Sequence, residues 1–306
     1  EENKDEQIPK DNIIMTGKTY GIYNPEGTVN YYDGIATAAL NQSLYGSISD
    51  TIEGYDINID RAGTTETVSL KIPTNFVAQI GEEKYTTIQS AVDSITETTE
   101  TQINLISNIE TINNVIVPEN KNIILNLNGY TVKSYKKSEY IINNGTLKLI
   151  DTDKTKNGNL IGSGITLIEN NNNLTIEETK LSTILKTPQV IDNKGTTIIN
   201  NSTIKAVDTE NGIINNEENA TLNVADSTIT KTSLYGANIL NSGTATFDNT
   251  TFNNHNKSYK YNIVNNLTGN ITINGGTYSN GNFIYNYGTA TINDLVDTSG
   301  NASNIY

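Results

Sequence analysis

The feature that most limits how this chain can fold is a phrase repeated along it. IINNGTLKLI (141–150), VIDNKGTTIINNSTI (190–204), INNEENATLNVADSTI (214–229), ILNSGTATFDNTTF (239–252) and IYNYGTATIND (284–294) align one under another. An aliphatic pair leads to Asn, then to a Gly or Asn turn that is often Gly-Thr, then to two apolar residues two apart, with another apolar residue further on. Taking the second apolar residue after the turn as a marker gives Leu127, Leu149, Ile176, Ile199, Val224, Phe247, Ile273 and Ile292, at intervals of 22, 27, 23, 25, 23, 26 and 19. A unit of that length is too short to be a domain and cannot bury its apolar face alone, so units must stack. Leucine-rich repeats share the period, but these coils are rich in Ile, Thr and Asn without helical spacing, which favours strands and tight turns. The predicted fold is all-β: a right-handed parallel β-helix, a solenoid with one coil of two or three short strands per repeat.

Stacking implies columns. An inner aliphatic column is predicted at Ile141, Leu167, Val190, Ile213, Ile239, Ile263, Ile284 and Ile305, one per coil at the strand spacing of about 4.8 Å. Two residues on, alternation predicts an inward ladder at Asn143, Asp192, Asn215, Asn241, Asn265 and Asn286, interrupted by Glu169 and carrying a second charge at Asp192. The outward residues between them read Ile142, Ile168, Ile191, Ile214, Leu240, Val264, Tyr285 and Tyr306. A continuous outward apolar stripe calls for a cover. Either the corner turns these residues inward or a loop lies over them, or they are a contact surface for a second chain or a ligand.

Charge excludes some partners. The 306 residues hold 34 acidic against 20 basic side chains, a net charge of −14 with a pI of about 4.5. This argues against nucleic acid and disfavours anionic polymers unless cations mediate. No apolar run approaches the length of a membrane span. With no Cys, a disulfide or thiolate metal framework is ruled out and the compartment stays open. No signal peptide stands at Glu1, and we expect a piece of a longer polypeptide.

Along the chain, residues 1–12 are charged and without period, a linker or frayed end. Residues 13–75 are expected to hold the end of a preceding β-helix-like array and a hairpin that closes it. GIYNPEGTVNYYDG (21–34) repeats the phrase, with Ile22 inner, Tyr23 outward, Asn24 in the ladder and Tyr31 at the marker. SNIY (303–306) stops one residue before the next ladder Asn would come, so joining end to beginning continues the pattern. Ile22 and Ile305 are 283 residues apart, and a larger array with a period near that value is expected. YDINI (55–59) and TVSLKI (67–72) alternate around a turn at Arg61, Ala62 and Gly63, which predicts an antiparallel hairpin shielding a sheet edge. Residues 76–102 are expected to form a hairpin and a short N-terminal capping helix. There Ile88, Ala91, Val92 and Ile95 fall at i, i+3, i+4 and i+7, with Thr86 or Thr87 as N-cap. Residues 103–306 are then β-helix coils, truncated mid-coil.

The YTTIQSAVDSI helix, the INLISNI and ILNLNGYTV strands, the LKLIDTDKTKNGNL excursion and the recurring IYN and GTATI steps together carry a resemblance. They look like the pectate-lyase-like right-handed β-helix domains of large cell-surface proteins in Gram-positive bacteria, over residues 76–306 and more weakly 20–50. Such domains serve as adhesins, stalks and carbohydrate-active enzymes, so the resemblance implies a fold and leaves the function open.

Catalytic candidates are sparse. Lyases of this fold need Arg or Lys beside calcium-binding acids, and the only Arg, Arg61, lies in the hairpin. Hydrolases use clustered Asp. Asp151, Asp153, Asp294 and Asp297 are present, and Asp226 and Asp248 fall one position apart on successive coils. All of these read as turn residues, because Asp and Asn tolerate turn backbone; no catalytic residue is assigned. Asp151, Asp153 and Asn157 have the spacing of calcium ligands but lack the glutamate that completes such a loop, so no metal or cofactor is assigned. His255 reads as a surface residue. In KSYKYN (257–262), Tyr259 and Tyr261 stand beside Lys257 and Lys260. These two tyrosines are the candidate ligand-binding residues, able to stack on sugar rings; equally, they serve to cover the apolar stripe. A regular Thr-x-Thr face is not evident, because the outward Thr positions change from coil to coil.

The expected function is a non-catalytic scaffold or adhesin, extracellular on a bacterial cell surface or secreted. It presents loops to a host or environmental glycan or protein and adjoins neighbouring β-helix domains of the same polypeptide. Two alternatives stay open: a polysaccharide lyase or glycoside hydrolase of the same fold, and a phage tail fibre or spike. Carboxylates, or a Lys with carboxylates, gathered on one solvent face would mark the enzyme, and oligomeric state would mark the fibre.

Overall fold

The computed structural model of the chain describes residues 13–298 except 26, 53–54, 137, 165, 210, 233–236, 255–260 and 281, and only the backbone of Asp208. The chain is an all-β, right-handed parallel β-solenoid of about 12 turns with one short helix. The expected positions His255, Tyr259, Ile305 and Tyr306 lie outside the described residues.

Each coil has three faces. The first carries short strands such as Ile141–Asn143, which stack in parallel into an eight-stranded sheet ending at Asn282–Asn286. The second carries five-residue strands such as Thr146–Ile150, and the third strands such as Asn159–Gly162. In the later coils single strands, Thr244–Asn254 and Asn270–Ser279, run across both of these faces. The core fills the space between the faces: Leu149, Ile176, Ile199, Val224, Phe247 and Ile273 stack rung upon rung, each fully or almost fully buried. Ile292 continues the column, partly buried. The marker column is thus borne out from Leu149 onward. Its first member is Leu125, not Leu127, because Leu125 pairs with Leu149 while Leu127 lies beyond the strand, at the corner before left-handed Asn128.

The second and third faces meet at a tight turn occupied by Asn128, Glu178, Asn201, Asp226, Asn249 and Asp294, all with φ between 46° and 52°. Asn and Asp tolerate that left-handed backbone better than most residues. The Gly of the Gly-Thr phrase has a different cause. A Cβ on Gly195 would come within 2.2 Å of the Asn172 carbonyl oxygen in the coil below, so stacked turns leave no room for a side chain.

The ladder is where the structure corrects the alignment. Its rungs are Asn143, Asn170, Asn193, Asn216, Asn241, Asn265 and Asn286, without a break. From Asn143 to Asn265, each Nδ2 donates to the Oδ1 of the next coil's Asn at 2.7–2.9 Å. Most also reach a backbone carbonyl of the following turn, such as Asn193 to Thr221 at 2.9 Å. The inner column correspondingly reads Ile141, Ile168, Ile191, Ile214, Ile239, Ile263 and Ile284. Leu167, Val190 and Ile213 are also fully buried, one residue earlier, because the corner turns both members of each aliphatic pair inward. Glu169, Asp192 and Asn215 therefore hold outward positions, and the expected apolar stripe is not continuous.

Pairing also aligns outward threonines that the raw sequence scatters. Thr203, Thr228, Thr251 and Thr277 share a column on the third face. Thr196, Thr221, Thr244 and Thr289 share one on the second face with Asn173 and Asn270. The neighbouring column, with Ile198 and Asn223, keeps this surface from being a regular Thr-x-Thr array.

The helix, Ile88–Ser94, is capped by Thr87 in a capping box with Ser90. Ile88 and Val92 turn onto Ile103, Val115, Ile123 and Leu125 of the first coils, closing the end of the core. Ahead of it, Ile14–Thr16 and Ile22–Asn24 pair in parallel with Ile35–Ala39 and Leu44–Gly46, a short stack of coils. Asp56–Ala62 and Thr65–Lys71 form the antiparallel hairpin, turning at Gly63 and adding to the edge of Ile35–Ala39.

Candidate functional site

The first face presents one outward residue per coil: Ile116, Ile142, Glu169, Asp192, Asn215, Leu240, Val264 and Tyr285. Parallel pairing makes this a flat strip along the rod axis. Its middle is polar. Lys194, on a turn beside it, reaches Glu169 at 2.8 Å and Asp192 at 3.5 Å. Asn215 donates to Asp192 at 2.9 Å and to Glu217 at 2.5 Å, and Asn171 donates to Glu169 at 3.0 Å. Burial works against the Glu169 carboxylate, but the bonds from Lys194 and Asn171 outweigh it and hold its pKa below the ordinary value. The same ion pairs outweigh burial at Lys194 and raise its pKa.

Further along, the strip becomes apolar and aromatic. After Leu240 and Val264 comes Tyr285, whose ring stacks on Tyr261 at 4.7 Å between centroids with planes 25° apart. Tyr287, on the next turn, meets Tyr285 edge-on at 4.6 Å and is 56% exposed. A hydrogen bond between the two side chains raises the Tyr287 pKa. Leu267, on the turn one coil earlier, is 81% exposed. Of the two expected ligand-binding tyrosines, Tyr261 thus belongs to a three-ring cluster, and Tyr259 lies outside the described residues. Tyr285 enters the sequence reading only as a member of the outward stripe, one reading of which is a contact surface for a second chain or a ligand, and Tyr287 is not singled out there. The signal available was the repeat itself, since one coil separates Tyr261 from Tyr285.

The other sequence candidates disperse. Asp226 and Asp294 occupy the left-handed turn. Asp226 accepts from Asn249 at 2.7 Å and Asp248 from Asn274 at 2.8 Å, each in the following coil. Asp151 accepts from the Gly129 N–H, Asp153 from Thr155, and Asn157 from Lys180, so these three side chains engage separate donors rather than one centre.

Arg61 joins the hairpin to the first coil. Its Nε meets Glu66 at 2.9 Å, and its Nη2 meets Glu110 at 2.9 and 3.3 Å. Lys133 sits beside this group, 4.6 Å over the Tyr135 ring, with its pKa lowered by burial. At the same junction Asp56 is buried, and its Oδ1 accepts from Ile57 N–H at 2.8 Å and Ile112 N–H at 3.0 Å. Burial raises its pKa against the pull of those bonds. Nothing in the local sequence marks this cluster, whose members come from separate segments. Comparison of the chain with protein-family models, curated proteins and solved structures finds no match in any of the three.

Proposed function

We propose that this protein is a non-catalytic, extracellular β-helix scaffold of the adhesin type that holds an extended glycan along its first face. The observation that carries this reading is the Tyr261, Tyr285 and Tyr287 cluster, set at the end of a flat strip whose middle is a hydrogen-bonding network. Aromatic side chains offer sugar rings an apolar platform with a polar edge, and the carboxylates and amides of the network match sugar hydroxyls. Both lie on one straight sheet, so a polymer aligned with the rod meets both. The sequence resemblance to pectate-lyase-like domains of bacterial surface proteins supports reading the rod as extracellular, on a cell surface or secreted.

A polysaccharide lyase is the second reading. Lys194 with Glu169 and Asp192 on one solvent-facing strip is the arrangement of base and acids that this reading requires. One experiment separates the two. The protein is incubated with neutral and acidic polysaccharides, with and without calcium, and both retention and new reducing ends are scored. We expect retention without release, weakened about tenfold by Tyr287→Ala with no change in melting. Release that disappears in Lys194→Met would establish the enzyme instead, and retention indifferent to Tyr287 would remove the tyrosine face from the account.

A further inference from the structure

Where the hairpin meets the first coil the surface folds into a cleft of about 320 Å³. That is within the range of small-ligand sites, roughly 300–1,000 Å³. Its walls come from Asp56 and Ile57, from Lys71 and residues 73–77, from Thr86, and from residues 107–110. Ile57 and Ile109 are buried beneath it, and Phe76, on the wall, is 52% exposed. An aromatic ring that open to solvent at the mouth of a concave site is a platform without an internal partner.

The polar lining is the second clue. Asn75 makes no hydrogen bond among the described residues and is not otherwise engaged. Asn108 accepts from the Thr131 N–H at 2.8 Å, which leaves the N–H donors of its amide without a partner among the described residues. Glu110 and Asp56 add carboxylates to the lining, held by Arg61 and by the Ile57 and Ile112 N–H groups. Lys71 is in the same lining and Arg61 is shared between Glu110 and Glu66, so the cleft has no surplus of cations to hold an anion. A cleft with unpartnered amide donors, one exposed ring and no surplus positive charge suits a ligand that has hydroxyls, an apolar face and no net charge.

We infer that this cleft binds a neutral mono- or disaccharide through Phe76, Asn75 and Asn108. The site is built from other residues than the tyrosine face and stands whether or not that face binds a polymer. The test is a calorimetric or NMR titration of the whole chain with glucose, galactose, N-acetylglucosamine, cellobiose and lactose at millimolar concentrations, with glucuronate as the charged control. Saturable binding of at least one neutral sugar is expected, with glucuronate clearly weaker. Phe76→Ala, at an exposed position and therefore folded, should weaken it about tenfold, Asn75→Ala should weaken it less, and Tyr287→Ala should leave it unchanged. Absence of binding by every neutral sugar overturns the inference, as does binding that Phe76→Ala leaves intact or that glucuronate matches. Loss of binding in Tyr287→Ala would assign the sugar to the tyrosine face and equally overturn it.

Discussion

The same repeated phrase builds two stacks in this molecule, and they are held together differently. In the main solenoid each ladder Asn meets another Asn above or below it, and the column runs through seven coils. In the N-terminal stack Asn24 pairs with Gly46, which has no side chain to offer. The Asn24 amide turns instead to the Ser47 and Gly27 carbonyls, at 2.7 and 3.1 Å. Gly46 is required there, because its φ is 102° and a Cβ would fall 1.7 Å from the Asn24 carbonyl oxygen. The N-terminal core also takes two side chains, Ile112 and Tyr135, from the main solenoid. Repeat stability grows with the number of neighbours each coil has. A short stack therefore depends on a hairpin and on its larger neighbour, whereas the long one is self-sufficient.

That asymmetry can be broken from either side. Ile88→Asp with Val92→Asp puts two charges where the helix closes the main core, and the cost should exceed about 5 kcal/mol. Loss of cooperative folding, or oligomerisation through the opened end, should follow in circular dichroism and gel filtration. The N-terminal stack should go with it. Val68→Asp, buried in the N-terminal core, should by contrast leave the main transition in place; unchanged melting and size in the double variant would show that the helix does not close the core. A smaller effect sharpens the ladder comparison. Asn193→Ala removes the partner of the Asn216 Oδ1 acceptor and of the Thr197 hydroxyl in a buried column, at about 3 kcal/mol, while Asn24→Ala loses bonds to two backbone carbonyls, at about 1 kcal/mol. Equal costs in urea titrations would mean that the side-chain column adds nothing beyond local turn bonding.

The smallest effect concerns the joint between the two stacks. Asp56 has a folded pKa raised above 3.8 by burial. A raised carboxylate pKa means that folding disfavours the ionised form. Its contribution therefore improves as pH falls through the folded value and levels off below 3.8. Glu169, with a lowered pKa, acts in the opposite sense: its contribution is lost as pH falls through the folded value. The difference between the protein and Asp56→Asn isolates the Asp56 part. The variant should gain relative stability at neutral pH and lose that advantage toward acid; a difference independent of pH would contradict the assignment.

The coil period and the marker column from Leu149 to Ile292 were legible because apolar alternation and turn residues are local signals. The ladder register was only partly so. Leu167–Ile168, Val190–Ile191 and Ile213–Ile214 are aliphatic pairs with both side chains inside, and alternation cannot say which member begins the strand. Counting back from the turn to Asn170, Asn193 and Asn216 would have resolved it. The tyrosine cluster was half visible, since Tyr261 stood out in its loop while Tyr285 joins it only through stacking. The cleft was not visible at all: Asp56, Phe76 and Asn108 are brought together by docking of the hairpin, which no local pattern encodes.

The Asn ladder has one more property. Each rung from Asn170 to Asn265 donates to the next coil and accepts from the one before; at the start Asn143 Oδ1 has no partner because Val117 occupies the preceding position, and at the end Asn286 donates to the Gly288 carbonyl of its own turn. A column in which all amides point the same way works as a ruler with a direction. Each added coil lengthens it by about 4.8 Å, so the six steps between its seven rungs measure out about 29 Å. A duplicated coil would carry its own amide and fit without altering its neighbours. A surface residue could then be moved along the axis in whole graduations, with its orientation kept.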